Sequence, residues 1–140
     1  MILGDTDFLA QEEAQVRVLV VDDEVASQIV MKSILNSHCC VDVASNGSEA
    51  VEFFVQSLND KRPYDLIFMD IQMPKMDGYM ITREIRTLKN NKKANIPIVA
   101  MTANAFEEDR KKAFDAGMDG HIAKPIDIEK LKAAILRMGF

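Results

Sequence analysis

The sequence predicts an α/β fold in which five parallel strands form one sheet with helices on both faces. Two observations support this prediction. Five short apolar runs alternate with five segments of helical periodicity between residues 16 and 138. Runs of this length, bounded by turn or helix signals, are typical of strands buried on both faces. Strands that alternate with helices in this way form parallel sheets through right-handed crossovers.

Hydrophobic periodicity and turn residues place the elements in order. The apolar runs predict the strands Val16–Val21, Val41–Ala44, Tyr64–Met69, Ile96–Met101 and Asp119–Ala123. Helical spacing predicts Val25–Asn36, a second helix ending near Leu58, Gly78–Lys89, Ala105–Ala116 and a last helix ending near Met138. Asn46 or Ser48 is expected to cap the second helix, and Asp77 and Asp127 are the candidate caps of the third and fifth. Gly117 is expected to stop the fourth helix.

The strand order follows if the polar residues at the strand ends share one pocket. Ligands of open parallel sheets bind outside the carboxyl ends of the strands. The flavodoxin-like order 2-1-3-4-5 places the first, third and fourth strands side by side, with the fifth next to the fourth. We therefore predict a flavodoxin-like three-layer (βα)5 sandwich over residues 16–140. Residues 1–15 are polar and acidic and are interpreted as a leader, a linker or a remnant of expression.

Composition restricts the class of protein. With 140 residues the chain is long enough for one domain with a sizeable core. The net charge of -5 argues against a surface that binds nucleic acid directly. No apolar stretch approaches the ~20 residues that span a bilayer, and no secretory signal opens the chain. The neighbours Cys39 and Cys40 match no metal or disulfide framework, so we expect a cytoplasmic domain without membrane contact.

Charged and polar side chains follow four of the apolar runs. Asp22 and Asp23 follow the first strand, Asp70 the third, Thr102 the fourth and Lys124 the fifth. Carboxylates gathered at one sheet edge repel each other, by roughly 4 kcal/mol per pair at 4 Å and an effective dielectric of 20. A divalent cation would relieve this repulsion, and an all-oxygen ligand set favours magnesium or manganese. The alternative is that each aspartate merely caps a helix or starts a turn.

The predicted chemistry is transfer of a phosphoryl group to an aspartate. One oxygen of Asp70 would attack the phosphorus while the other binds the cation, giving an acyl phosphate. Asp23 is the main predicted cation ligand and Asp22 its partner, directly or through water, and the backbone carbonyl of Gln72 is a further candidate. Such a transfer needs alignment and charge neutralisation more than acid–base chemistry.

Two residues are predicted to bind the transferred phosphate. The Thr102 hydroxyl would donate to a phosphoryl oxygen, together with the backbone N–H of Ala103. Lys124 would form a charge-assisted bond to Asp70 or to its phosphate. A cis Lys124–Pro125 bond would direct Lys124 inward, and the sequence leaves the isomer open.

The segments VLVVDDE, DLIFMDIQMPKMDG, IVAMTANA and HIAKPID occur in this order at the predicted strand ends. Together they resemble the receiver domain of two-component signalling, and the resemblance extends from about Val16 to Met138. It implies that Asp70 is the phosphorylation site, that Asp22 and Asp23 belong to a Mg²⁺ site, and that Thr102 and Lys124 sense the phosphate. It also implies a phosphohistidine donor, in a histidine kinase or a histidine phosphotransfer domain. A phosphorylation-dependent dimer is left open.

One position departs from the usual pattern of this family, because His121 stands where many receivers have Tyr or Phe. We interpret His121 as a switch residue that acts with Thr102, or alternatively as a partly exposed strand residue. Gln72 and Asn104 flank the expected path of attacking water and are predicted to tune the lifetime of the acyl phosphate. The segment HIAKP is similar to receivers of hybrid kinases, so the expected parent is such a kinase, either membrane-bound or not, or a stand-alone regulator.

Three other functions are less consistent with the sequence. A Mg²⁺-dependent aspartyl-phosphate phosphatase or phosphotransferase needs a general acid near the nucleophile, and Asp70 is followed by Ile71-Gln72. A nucleotide or flavin carrier needs a phosphate-binding loop where this chain has Asp-Asp-Glu. A protein-interaction domain that is never phosphorylated does not need the complete acidic set. We therefore expect a phosphoacceptor that assists its own phosphorylation and dephosphorylation rather than an enzyme.

Overall fold

The computed structural model describes residues 16–37, 39–73, 77–88, 95–103 and 107–139. The described strands are β1 Arg17–Val21, β2 Cys40–Ala44, β3 Leu66–Asp70, β4 Ile98–Thr102 and β5 Gly120–Ala123. The described helices are α1 Val25–Leu35, α2 Gly47–Asn59, α3 Gly78–Arg86, α4 Glu107–Ala116 and α5 Ile128–Arg137. None of these helices is long and apolar enough to cross a membrane.

The five strands form one sheet in the order β2-β1-β3-β4-β5. Every neighbouring pair is parallel, so the predicted fold class and strand order are confirmed. β1 and β3 lie next to each other with Val21 opposite Met69, and Asp70 lies opposite Met101 of β4. This order brings the carboxyl ends of the strands that carry the acidic residues to adjacent positions.

The alternation of side chains along each strand divides the core into two layers. Val18 and Val20 of β1 pack with residues of α1 and α5, including Met31 and Leu131. The intervening Leu19 and the following Val21 face the opposite layer, which is formed by residues of α2, α3 and α4. Because both faces of the sheet are covered, the strands are almost wholly apolar, as expected for a buried parallel sheet.

The caps agree with the expected helix boundaries. The Asn46 side chain accepts from the Glu49 backbone N–H at 2.8 Å, so Asn46 rather than Ser48 caps α2. Asp77 caps α3 and Asp127 caps α5, through bonds to Met80 N at 3.0 Å and Lys130 N at 2.9 Å. Gly117 ends α4 with a φ of 103°, a conformation that glycine adopts at little cost.

Some predicted strand boundaries are wrong by one or two residues. β3 begins at Leu66 rather than Tyr64, because the Asp65 carboxylate accepts the Arg17 backbone N–H at 2.9 Å and replaces a ladder bond. β4 begins at Ile98 because Pro97 has no N–H to donate. Residues 1–15 and the expected beginning of the fourth helix at Ala105 lie outside the described residues.

The cysteines behave as the sequence predicts. Cys39 is buried, and Cys40 is partly buried at the beginning of β2. Burial, and to a lesser extent the neighbouring Cys40, raises the pKa of the Cys39 thiol to about 11. A thiol with such a pKa is protonated at neutral pH and packs as a small apolar side chain.

Candidate functional site

The three predicted acidic residues meet at the carboxyl edge of the sheet. Asp22 and Asp23 follow β1, and Asp70 is the last residue of β3. One carboxylate oxygen from each of the three lies within 4.8 Å of the others. Asp22 and Asp70 are buried whereas Asp23 is exposed, so the cluster has two buried carboxylates and one at the solvent boundary.

Asp22 is held in place by its neighbours in the chain. Its backbone N–H donates to the Ala44 carbonyl at 3.1 Å, which extends the pairing of β1 with β2. Its Oδ1 atom accepts from the Glu24 backbone N–H at 2.9 Å, an Asx-turn. Glu24, not Asp22 or Asp23, is the N-cap residue of α1, and its side chain makes no capping bond. The alternative that either aspartate caps this helix is therefore wrong.

The second carboxylate oxygen of Asp22 is the strongest indication of a cation. This Oδ2 atom is fully buried and has no hydrogen-bond partner among the described residues. It lies 3.3 Å from the Lys124 ammonium, an ion pair without hydrogen-bond geometry. Buried polar atoms are normally satisfied by a hydrogen bond or a metal. A buried carboxylate oxygen that has an ion pair but no hydrogen bond, beside two further carboxylates, fits a hard divalent cation such as Mg²⁺.

Asp70 is 3% exposed and accepts hydrogen bonds on both oxygens. Its Oδ1 atom accepts from the Gln72 backbone N–H at 3.0 Å, and its Oδ2 atom from Lys124 Nζ at 3.3 Å. Burial raises the pKa of the Asp70 carboxyl, and the charge of Asp22 raises it further. The bonds from Gln72 and Lys124 oppose these effects without cancelling them. Without a cation, the ionised Asp70 is thus electrostatically unfavourable.

Lys124 faces the cluster from the end of β5. Its backbone N–H donates to the Thr102 carbonyl at 2.8 Å, and the Lys124–Pro125 bond is cis. Burial alone would lower the pKa of its ammonium, but the carboxylates of Asp70 and Asp22 reverse this effect and raise it. Lys124 is therefore a fixed positive charge at neutral pH. Thr102, the last residue of β4, is 4% exposed.

A helix residue that the sequence analysis missed supports the loop around Lys124. Lys130 of α5 donates from Nζ to the Ala123 carbonyl at 3.0 Å and to the Pro125 carbonyl at 2.8 Å. These bonds hold the backbone on both sides of Lys124. The helical position of Lys130 gives no local indication of this contact, because the carbonyls that it binds are set by the conformation of the preceding loop.

Gly78 allows α3 to begin directly against the acidic site. A Cβ atom at this position would lie 2.6 Å from the Asp70 carbonyl oxygen and 2.8 Å from Ile71 Cα. Gly78 does not have a positive φ, so its role here is not conformational freedom. It is needed because the helix backbone and the end of β3 are too close for any side chain.

The remaining predicted residues have different locations. His121 is partly buried on β5 and lies opposite Ala100 of β4. Burial lowers the pKa of its imidazole, and the charges of Arg110 and Arg137 lower it further. The Gln72 side chain is exposed next to Asp70. Asn104 lies outside the described residues, and the roles of these three residues stay predictions.

Comparison with known proteins connects this site to a family. A family model described as the response regulator receiver domain matches residues 18–136. The hybrid signal transduction histidine kinase L of Dictyostelium discoideum is 45% identical over 127 residues, which cover 88% of the chain and 7% of that kinase. The chain spans between 7% and 15% of the length of curated relatives of this kind that it matches.

Solved structures show the same fold. The receiver domain of a Pseudomonas aeruginosa sensor histidine kinase, with a magnesium ion coordinated in its active site cleft, is 34% identical with a TM-score of 0.70. The match covers 89% of this chain and 98% of that one. A co-crystal structure of the Saccharomyces cerevisiae histidine phosphotransfer signaling protein Ypd1 and the receiver domain of its downstream response regulator Ssk1 is 31% identical. Its TM-score is 0.76, and the match covers 89% of this chain and 88% of that one.

Proposed function

Because the chain belongs to the response regulator receiver domain family, we propose that it accepts a phosphoryl group on Asp70 and relays a signal through the resulting change of surface. The observation that carries this proposal is the cluster of Asp22, Asp23 and Asp70, with ligand atoms within 4.8 Å of one another and Lys124 bonded to Asp70. Asp22, Asp23 and Asp70, with the backbone carbonyl of Gln72, would hold Mg²⁺. A bound Mg²⁺ would neutralise charge on the transferring oxygens.

The proposed reaction is an in-line displacement at phosphorus. A carboxylate oxygen of Asp70 attacks the phosphoryl group of a phosphohistidine. A phosphorus–oxygen bond forms as the phosphorus–nitrogen bond breaks, and the departing imidazole nitrogen keeps the electron pair and then takes up a proton. Asp70 needs no general base, because an ionised carboxylate is already the nucleophile. The ammonium of Lys124, 3.3 Å from Asp70, is close enough to pair with the new phosphate.

The switch is proposed to act through the last two strands. Phosphorylation adds negative charge and acceptor oxygens at Asp70. The Thr102 hydroxyl would donate to these oxygens, and the loop after β4 would follow. Because the Lys124 backbone N–H is bonded to the Thr102 carbonyl, the ends of β4 and β5 would respond together. His121 is the proposed residue that senses this shift on β5, and the phosphate acts by favouring one of two existing states.

The proposed donor is a histidine kinase or a histidine phosphotransfer protein. The curated relatives include hybrid histidine kinases, and a similar solved receiver domain is in complex with a histidine phosphotransfer protein. Both facts support a position of this chain within a phosphorelay, and we propose that this relay is cytoplasmic. Its net charge of -5 also makes direct binding to nucleic acid unfavourable.

The proposal can be tested with small phosphate donors. The wild-type domain, incubated with Mg²⁺ and acetyl phosphate, should gain the mass of one phosphoryl group. Asp70→Asn should gain none, because an amide cannot form the acyl phosphate. Asp77→Asn is the matched control, since Asp77 caps α3 through the Met80 N–H and an asparagine can make the same cap. Phosphorylation of Asp70→Asn to the extent of the wild type would disprove the assignment.

Gln72 and Asn104 are proposed to set the lifetime of the acyl phosphate. Gln72 follows Asp70 by two residues, and its exposed side chain lies beside the route that hydrolytic water would take. Exchange of either residue should change the rate of dephosphorylation measured after removal of the donor. An unchanged rate in either Gln72→Ala or Asn104→Ala would contradict this proposal.

A further inference from the structure

A glutamine of α1 is bonded to the loop that carries two of the acidic residues. The Gln28 side-chain nitrogen Nε2 donates to the backbone carbonyl of Asp22 at 2.6 Å. The same nitrogen donates to the Ser45 hydroxyl at 3.0 Å. Gln28 is partly buried. Its contacts thus join α1 and the loop after β2 to the backbone of the acidic loop.

The carbonyl that Gln28 binds belongs to the peptide group between Asp22 and Asp23. A peptide group is planar, so a fixed carbonyl also fixes the N–H and Cα of the next residue. On the other side of Asp23, the Glu24 backbone N–H is held by the Asp22 side chain at 2.9 Å. Asp23 itself is exposed to solvent. The position of its carboxylate therefore depends on the two bonds that hold the backbone on either side.

The other partner of Gln28 is itself fixed. Ser45 donates its backbone N–H to a side-chain oxygen of Glu49 at 2.8 Å. The Glu49 backbone N–H in turn donates to the Asn46 side chain at 2.8 Å. These reciprocal bonds resemble a capping box at the first turn of α2. Gln28 is thus held between a rigid helix terminus and the Asp22 carbonyl, and the loop after β1 is tied to the loop after β2.

We propose that Gln28 is a positioning residue for the metal site, which acts by orienting the Asp22–Asp23 peptide group so that Asp23 reaches the cation. This inference rests on the proposed function, because it assumes that the acidic cluster binds Mg²⁺. Groups that orient metal ligands typically contribute about 10- to 100-fold to metal affinity. Gln28 acts through backbone at the edge of the site, so the lower end of this range is expected.

The test compares three variants by calorimetric titration of the unphosphorylated domain with Mg²⁺. Gln28→Met preserves the length of the side chain without its donor, and should weaken Mg²⁺ binding about tenfold. Ser45→Ala removes one of the two bonds of Gln28 and should weaken binding about threefold. Gln56→Met is the matched control, because the Gln56 side chain donates to Asp60 on the exposed surface at the end of α2. It should bind Mg²⁺ as the wild type does.

A second readout needs no metal. Amide hydrogen exchange at Glu24, whose backbone N–H is bonded to the Asp22 side chain, should accelerate in Gln28→Met and stay unchanged in Gln56→Met. The inference is overturned if the wild type binds Mg²⁺ and Gln28→Met binds it equally well, or if Gln56→Met loses as much affinity. It is also overturned, together with the proposed metal site, if the wild type takes up no Mg²⁺. If only the role of Gln28 is wrong, the wild type still binds Mg²⁺. If the proposed metal site is wrong, the wild type does not bind it.

Discussion

The contact between Gly78 and the end of β3 predicts a large effect of one added methyl group. In Gly78→Ala the new Cβ would lie 2.6 Å from the Asp70 carbonyl oxygen, 2.8 Å from Ile71 Cα and 2.9 Å from Met69 Cγ. The first two of these atoms belong to the backbone. The Ile71 N–H is bonded to the Met101 carbonyl at 3.2 Å, so this backbone cannot easily move away from the new methyl group. Overpacking of a rigid site costs about 1–3 kcal/mol, and this geometry favours the upper end.

A gain in helix propensity offsets part of this cost. Alanine is more favourable than glycine within a helix by about 1 kcal/mol, and by less at the first helical residue, where Gly78 lies. The expected net loss in the free energy of unfolding is therefore about 2 kcal/mol. Because the clash displaces the carbonyl of the phosphoacceptor itself, the rate of phosphorylation by acetyl phosphate should fall as well.

Urea denaturation followed by far-ultraviolet circular dichroism measures this loss. Gly120→Ala is the matched control, because the nearest atom to its Cβ would be the flexible Met138 Cε at 3.4 Å, followed by Val99 Cγ2 at 3.9 Å. This variant should stay within about 0.5 kcal/mol of the wild type. If Gly78→Ala were as stable as Gly120→Ala, the reasoning from close backbone approach would be refuted.

Four further variants test the charges. Lys124→Met should lose about 2 kcal/mol of stability in urea denaturation, since Asp22 and Asp70 lose the ion pairs with the Lys124 ammonium. Added Mg²⁺ should reduce this loss of stability. A loss that is the same with and without Mg²⁺ would contradict the prediction. Arg86→Met removes hydrogen bonds of 2.7–3.0 Å to two carbonyls and a carboxylate. The free energy of unfolding should fall by roughly 3 kcal/mol. The phosphorylation rate of the folded protein should not change. Without Mg²⁺, Asp70→Asn should be more stable than the wild type at neutral pH. The raised pKa of Asp70 means that its ionised form destabilises the folded wild type. The difference in the free energy of unfolding between Asp70→Asn and the wild type should therefore become smaller as the pH is lowered and Asp70 is protonated. A difference that grows as the pH is lowered would contradict this reasoning. Burial and two arginines lower the imidazole pKa of His121 in the folded protein. The unfolded chain therefore takes up a proton on His121 first, and this residue should make the wild type less stable as the pH falls below about 6.5. His121→Phe should lack this contribution to the loss of stability.

The order of the elements and the location of the acidic residues followed from the sequence alone. Both depend on local signals: apolar runs mark strands, helical periodicity marks helices, and the residue after each run marks the carboxyl end of a strand. In a parallel sheet these ends share one edge, so Asp22, Asp70 and Lys124 were expected to meet there. The caps at Asn46, Asp77 and Asp127 were predictable for the same reason, because a cap acts within one helical turn.

The tertiary structure decided what depends on contacts between distant parts of the chain. The Asp22 oxygen without a hydrogen bond, the Asp70 carbonyl against Gly78 and the reach of Gln28 to Ser45 all result from how strands and loops pack. The cis Lys124–Pro125 bond belongs to the same group. No sequence pattern indicates these features, because side-chain packing and loop closure depend on the relative positions of elements rather than on local preference. Sequence determined which residues reach the site, and packing determined which hydrogen bonds and ion pairs their atoms make.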